Sequence, residues 1–252
     1  MDDPVLELAE NANTWTPLGP RDERVDGNGW VLWLGRIDNP SFNVAQRFRL
    51  EPDDVERARA EINSALRAHG RVAGCTWEVG SSATPPDLVE RLLALGLVED
   101  AEPFVVGMVL REPPRDAPAA GIEVRRIETS EEALVAAKIA AVAFGMASPA
   151  PADLDASGRR VKYLAFLDGE PVGQATAAFS EHGVTMHGGA VLPEARGRGA
   201  YRALVAARWE DAVARGTPVL VTQAGAQSRP ILARLGFAEV CTIRILLDAP
   251  GG

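Results

Sequence analysis

Residues 191–204, VLPEARGRGAYRAL, constrain this chain more than any other stretch. An apolar strand end runs into a turn that holds Arg196, Gly197, Arg198 and Gly199. A helix of small, apolar and charged residues follows at once. Few side chains crowd such a turn, so backbone N–H groups can approach an anion closely. The positive end of the new helix points at the same spot. The turn therefore suits a phosphate, most simply the pyrophosphate of a nucleotide-like cofactor.

The chain has 252 residues, enough for one large domain or two small ones. Hydrophobic residues make up 46% and charged residues 24%, the composition of a soluble globular protein. No apolar run approaches the ~20 residues of a membrane span, and the acidic start lacks a signal-peptide pattern. The two cysteines, Cys75 and Cys241, lie far apart and neither has a CxxC partner. They read as free thiols in a reducing compartment, which implies a cytoplasmic protein. A net charge of −9 argues against a nucleic-acid partner and favours cationic substrates. No His, Cys and Asp group has metal-ligand spacing, so no metal is expected.

Three prolines and little to bury mark residues 111–121 as a linker. The expected domains are thus 1–110, the linker, and 122–252. The C-terminal domain alternates strand and helix. Strands are predicted at 122–127, 161–167, 171–179, 183–192, 218–223 and 240–247. Helices are predicted from the capping box at Thr129 and Glu132 to about 144, from about 199 to 215, and over 228–235. A hairpin is expected at Asp168-Gly169, and a loop or short helix over 149–158. The N-terminal domain shows the second half of the same order, with strands at 42–50, 75–79 and 104–110 and helices at 53–69 and 86–95. Residues 92–99, LLALGLVE, also match 232–239, LARLGFAE, at Leu, Leu, Gly and Glu. Together these features point to an internal duplication. Where the second copy has its glycine turn, the first has Glu51-Pro-Asp-Asp54, which would repel a pyrophosphate. The cofactor is expected in the second copy alone.

The strand, Arg196-Gly-Arg-Gly199, the long helix, the next strand, the short helix and Leu235-Gly-Phe237 together resemble the GCN5-related N-acetyltransferase (GNAT) family. The resemblance covers about 122–247. It implies an α/β (α+β) GNAT fold: a central, mixed, mostly antiparallel twisted sheet flanked by helices, in two GNAT-like lobes, the first degenerate. Arg196 and Gly199 fill the first and fourth positions of the family's Gln/Arg-x-x-Gly-x-Gly/Ala motif, and Tyr201 replaces its small sixth residue. Tyr201 must turn its ring away from the pyrophosphate or offer it a hydroxyl.

The resemblance further implies an acetyl-CoA site. Backbone groups of Gly189, Ala190 and Val191 would take the pantetheine arm, and N–H groups of Arg198, Gly199, Ala200 and Tyr201 the pyrophosphate. Arg196 and Gly197 complete the loop. A backbone N–H near Ala190 or Val191 could polarise the thioester carbonyl. The acceptor would be a primary amine of a small molecule or a protein, attacking directly. The tyrosine that many members use as the acid is absent, with Leu232 in its place, and Gly225 stands near the position of a common asparagine. Two residues remain as catalytic candidates. His187 shares side-chain parity with Gly189 and Val191, so it reads either as a base facing the acceptor or as a strand histidine satisfied by hydrogen bonds. Ser228 reads either as a donor to the thiolate or as a helix N-cap. Arg229 reads as a phosphate ligand or a solvated helix-start charge. A pseudo-dimeric monomer or a homodimer is expected. The competing reading is a non-catalytic acyl-CoA-binding or protein-interaction module.

Overall fold

In the computed structural model the described residues are 3–115, 121–146, 154–155 and 157–249. Much of the expected linker and of the expected 149–158 loop lies outside them. The chain forms two compact units.

The first unit comprises residues 1–108, 223–229 and 239–252. It begins with helices α1 (Pro4–Glu10) and α2 (Ala12–Trp15) and strands β1 (Glu23–Gly27), β2 (Trp30–Leu34) and β3 (Asn43–Gln46). Then come α3 (Val55–Ala68), β4 (Cys75–Gly80), α4 (Leu88–Ala94) and β5 (Val98–Leu110), which runs to the unit's edge. The helices α1 and α2 and the β1–β2 hairpin were not expected. Each is short, and Trp30-Val-Leu-Trp-Leu34 is apolar throughout, so neither strand nor helix periodicity marks it. The hairpin's own signal is Gly27-Asn-Gly29, where Gly29 takes φ +81°. Strand β5 starts earlier than expected and carries Pro103 within it.

Apolar residues of β2, β4, α3 and α4 close a core around Trp77, whose ring stacks on Phe48 with centroids 4.8 Å apart. At the pyrophosphate-equivalent position, residues Pro52–Asp54 form one 3₁₀ turn into α3, without glycine and with two aspartates in it.

The second unit comprises residues 109–222 and 230–238. Its elements are β6 (Ile122–Arg126), α5 (Ser130–Ala143), β7 (Arg160–Leu167), β8 (Glu170–Ser180), β9 (Gly183–Val191), α6 (Ala200–Ala214), β10 (Leu220–Ala224) and α7 (Arg229–Leu235), the last two reaching its edges. The strand order is β10-β9-β8-β7-β6. All pairs are antiparallel except β9 with β10, which is parallel. Asp168 and Gly169, at φ +53° and +86°, make the expected tight turn between β7 and β8. The capping box of α5 forms as expected, with Thr129 Oγ1 accepting from the Glu132 N–H at 3.2 Å. Ile127, Ala133, Ala136, Ile139, Leu164 and Phe166 pack between α5 and the sheet.

The final strand, β11 (Ala238–Asp248), departs from the order of the chain. From Glu239 it lies in the first unit, antiparallel to β4, with Asp248 opposite Cys75 and Ile243 opposite Gly80. The first unit's strand order is therefore β1-β2-β3-β4-β11-β5. Periodicity locates such a strand but not its partner, because apolar alternation is satisfied by any sheet that covers one face.

Candidate functional site

Strand β9 positions the site. It pairs with β10 only at Val184 and Thr185, opposite Leu220 and Val221. Thr222 of β10 still donates its hydroxyl to the Met186 carbonyl at 3.2 Å, and among the described residues no backbone pairing with β10 continues the ladder beyond it, which leaves the β9 edge from His187 to Val191 open. On its other side β9 stays paired with β8 as far as Val191 opposite Gly173. A bulge interrupts that register between the Thr176–His187 and Gln174–Ala190 pairs. Gly188 sits in the bulge at φ +55°, and Gln174 donates its amide to the Gly188 carbonyl. A bulge re-aims the strand and frees one residue's groups from the ladder.

Backbone alternation then fixes which groups face the open edge. Leu192 donates to Val172 of β8 at 2.9 Å. In an antiparallel ladder, neighbouring residues point their polar groups oppositely. Val191 therefore directs its N–H and C=O to the open side, where Arg196 Nε donates to its carbonyl at 3.4 Å.

The turn that follows is built as a cradle. Gly197 takes φ +76° and Gly199, the N-cap of α6, takes φ +96°. A side chain there would be strained, and a Cβ on Gly197 would meet nothing within 4 Å, so the space above the turn is open. No side chain caps α6 and its first turn holds no acidic residue. Its leading N–H groups lack intrahelical acceptors, and the helix dipole adds to their pull on an anion. Arg198 is exposed at the rim, 3.6 Å from Asp168.

Tyr201 resolves the departure from the motif. Its ring turns inward onto β9, so that a Cβ on Gly189 would lie 3.0 Å from Tyr201 Cε2. The absence of a side chain at Gly189 makes room for the ring.

His187 is half-buried on β9. Burial, and then the guanidiniums of Arg160 and Arg208, press its pKa down to about 3. It is therefore a neutral imidazole across the physiological range, and a weak base. A ring buried in this way departs from the unperturbed imidazole, which titrates near pH ~6.5. Ser228 lies in the segment grouped with the first unit, and its hydroxyl donates to the Gly225 carbonyl at 3.5 Å. Leu232, which replaces the usual tyrosine, is buried. Arg229 is tied to Glu239 by two bonds of 2.7 and 2.6 Å, so its charge is already paired.

Sequence reasoning missed a polar layer beneath α6. Arg208 is buried, with 1% of its surface exposed, and its Nε donates to the Leu204 carbonyl at 2.9 Å. Tyr163 of β7 donates to Asp211, which also pairs with Arg126, 2.9 Å from its Nε. The signal lay in α6 itself: Tyr201, Leu204 and Arg208 are spaced at three and four residues, so Arg208 falls on the inward face. Among the described residues no group of three His, Cys, Asp or Glu could hold a metal, and no helix is long and apolar enough to cross a membrane.

Residues 127–237 match the model of the Acetyltransferase (GNAT) family. No curated protein matches the chain. Among solved structures, a GCN5-related N-acetyltransferase from Kribbella flavida is similar, with a TM-score of 0.73 at 22% identity, over 98% of this chain and 96% of that one. A tandem GNAT protein from the clavulanic acid biosynthesis pathway gives 0.61 at 16% identity, over 100% and 90%. A GCN5-related N-acetyltransferase from Sphaerobacter thermophilus gives 0.60 at 17%, over 90% and 84%. These likenesses establish the fold. An open strand edge running into a glycine-lined helix N-terminus lies inside the matched residues, and the chain has a GNAT fold in which residues 127–237 match the Acetyltransferase (GNAT) family.

Proposed function

We propose that the second unit transfers an acetyl group from acetyl-CoA to a primary amine of a small molecule or protein. One observation carries this reading. The unpaired edge of β9 leads directly into the Gly197–Gly199 cradle, so amide-rich pantetheine and a pyrophosphate find matching groups in the order in which CoA presents them. Gly189, Ala190 and Val191 flank the arm, and Arg196 through Tyr201 surround the pyrophosphate. The Val191 N–H, directed to the open side, is placed to polarise the thioester carbonyl. The neutral amine attacks that carbonyl carbon, a tetrahedral oxyanion forms against the Val191 N–H, and the C–S bond breaks. The departing CoA thiolate takes up the proton that the amine loses. No side chain serves as nucleophile.

The test is CoA release, followed with a thiol reagent over an amine panel, with mass spectrometry of the product. Arg198→Glu places a negative charge at the rim of the cradle and is expected to weaken acetyl-CoA binding at least about tenfold. Unchanged affinity in that variant overturns the pyrophosphate assignment. A buried leucine at position 232 favours the second reading, a non-catalytic acyl-CoA-binding module. That reading predicts binding without release of CoA.

The perturbed imidazole gives a pH expectation. A group with pKa near 3 does not change charge between pH 5 and 9. The acid limb of kcat/KM is then set by the acceptor amine, which must be neutral to attack. His187→Gln is expected to leave the position of that limb unchanged. A limb near pH ~6.5 that disappears in the variant would restore His187 as the base. The same shift has a consequence for stability. The folded state holds His187 neutral while the unfolded chain protonates it near pH ~6.5, so its contribution is complete above that pH and is lost as pH falls toward 3. A cytoplasmic location is part of the same proposal and follows from the free thiols.

A further inference from the structure

Arg208 poses a problem that its own surroundings leave unsolved. Its guanidinium is buried, yet Nη2 has no hydrogen-bond partner. A buried donor left unpaired is costly, and a buried charge without a counter-ion more so. Asp211, three residues along its helix, is committed to Arg126 and Tyr163. The groups that face the guanidinium are the Tyr201 and Tyr163 rings and the His187 imidazole, none of them anionic at neutral pH. Burial pulls the guanidinium's pKa down, and the arginine still stays charged.

The free nitrogen has a definite direction. A Cβ placed on Gly189 would lie 3.8 Å from Arg208 Nη2. Position 189 is glycine, so the Tyr201 ring, 3.0 Å from the same Cβ position, and that nitrogen share the face of the strand there. Gly189 adjoins the bulge at Gly188 and lies two residues before Val191, whose N–H faces the open edge. A cation with spare donors thus stands beside the stretch of β9 that would meet the reacting end of the acyl donor. Aliphatic acyl groups and simple amines offer it nothing, whereas a carboxylate offers both charge and two acceptor oxygens.

We propose that Arg208 recognises a carboxylate carried by one of the two substrates, presented along β9 at Gly188–Ala190. The inference rests on the donor-site reading above. Two sources share the chemistry: a dicarboxylic acyl group on the donor, or the carboxylate of an amino-acid acceptor. Arg208 acts in this as a specificity-determining residue.

The experiment is calorimetry on the full chain, in two arms. The donor arm compares succinyl-CoA with acetyl-CoA. The acceptor arm compares a panel of amino acids with their decarboxylated amines, each added to CoA-loaded protein. In one arm the carboxylate-bearing probe is expected to bind at least about tenfold tighter, in the range of a hydrogen bond to a charged group. That ratio is expected to fall to about one in Arg208→Gln and to an intermediate value in Arg208→Lys, which keeps charge but loses the planar fork. Ratios near one in both arms of the wild type overturn the inference, and so does a preference that survives in Arg208→Gln. The wild-type ratios need no variant, and Arg208→Lys serves if the glutamine variant does not fold. Failure of the wild type to bind CoA at all overturns the donor-site reading as well. CoA binding with flat ratios overturns this inference alone.

Discussion

Replacing Gly199 with valine is expected to weaken acetyl-CoA binding by at least a hundredfold, whereas Gly199→Asn should retain most of it. Gly199 caps α6 at φ +96°, a region that a β-branched residue enters only under strain of roughly 1–3 kcal/mol. Valine would relieve that strain by rotating the peptide, and the N–H groups of the first turn would no longer converge. Its methyl groups would also occupy space that the anion needs. Loss of both effects amounts to about 2.7 kcal/mol or more, hence the hundredfold figure. Asparagine visits positive φ far more readily and adds only an amide. Calorimetry with acetyl-CoA reads the affinity, and thermal denaturation separately reads the strain at the helix start. Equal affinity in Gly199→Val and wild type would mean that the anion does not sit at this turn.

That expectation was legible before the structure, because a cradle of this kind is made of consecutive residues. Arg196, Gly197, Arg198 and Gly199 fix their own backbone path, and the helix they open is signalled by the run after them. The same holds for the capping box at Thr129 and the turn at Asp168-Gly169, both of which formed where the local sequence put them. What the sequence hid depends on partners distant in the chain. The open edge of β9 is a backbone pairing that stops after Thr185, and nothing in the composition of 187–191 says so. The pKa of His187 is set by burial and by Arg160 and Arg208 across the fold, so the ring alone suggested an ordinary base. Arg208 stood on the inward face of α6 at readable spacing. An arginine among alanines there is easily passed over as a solvated charge, and only its burial makes it notable. The same limit applied to β11: its alternation was plain, while its neighbour was not.

The placement of β11 yields the largest expected effect on stability. Asp248, at the end of that strand, has a side chain only 2% exposed and lies 189 residues from the arginine that neutralises it. Arg59 of α3 grips it with two bonds of 2.7 and 3.0 Å, Asn63 adds one at 3.2 Å, and the same guanidinium donates to the Leu95 carbonyl. Arg59→Met would leave a buried carboxylate without its counter-ion, at a cost of about 3–5 kcal/mol. For a chain of this size that lowers the melting temperature by on the order of 10 °C. Arg59→Met combined with Asp248→Leu removes both charges and should recover most of the loss, since an apolar pair of similar volume is often neutral or better. The non-additivity of this cycle reports the pairing directly. It also tests where the C-terminal strand lies, because only β11 beside β4 in the first unit brings Asp248 to α3. Single variants that each cost less than about 1 kcal/mol, and that simply add in the double variant, would remove β11 from that position.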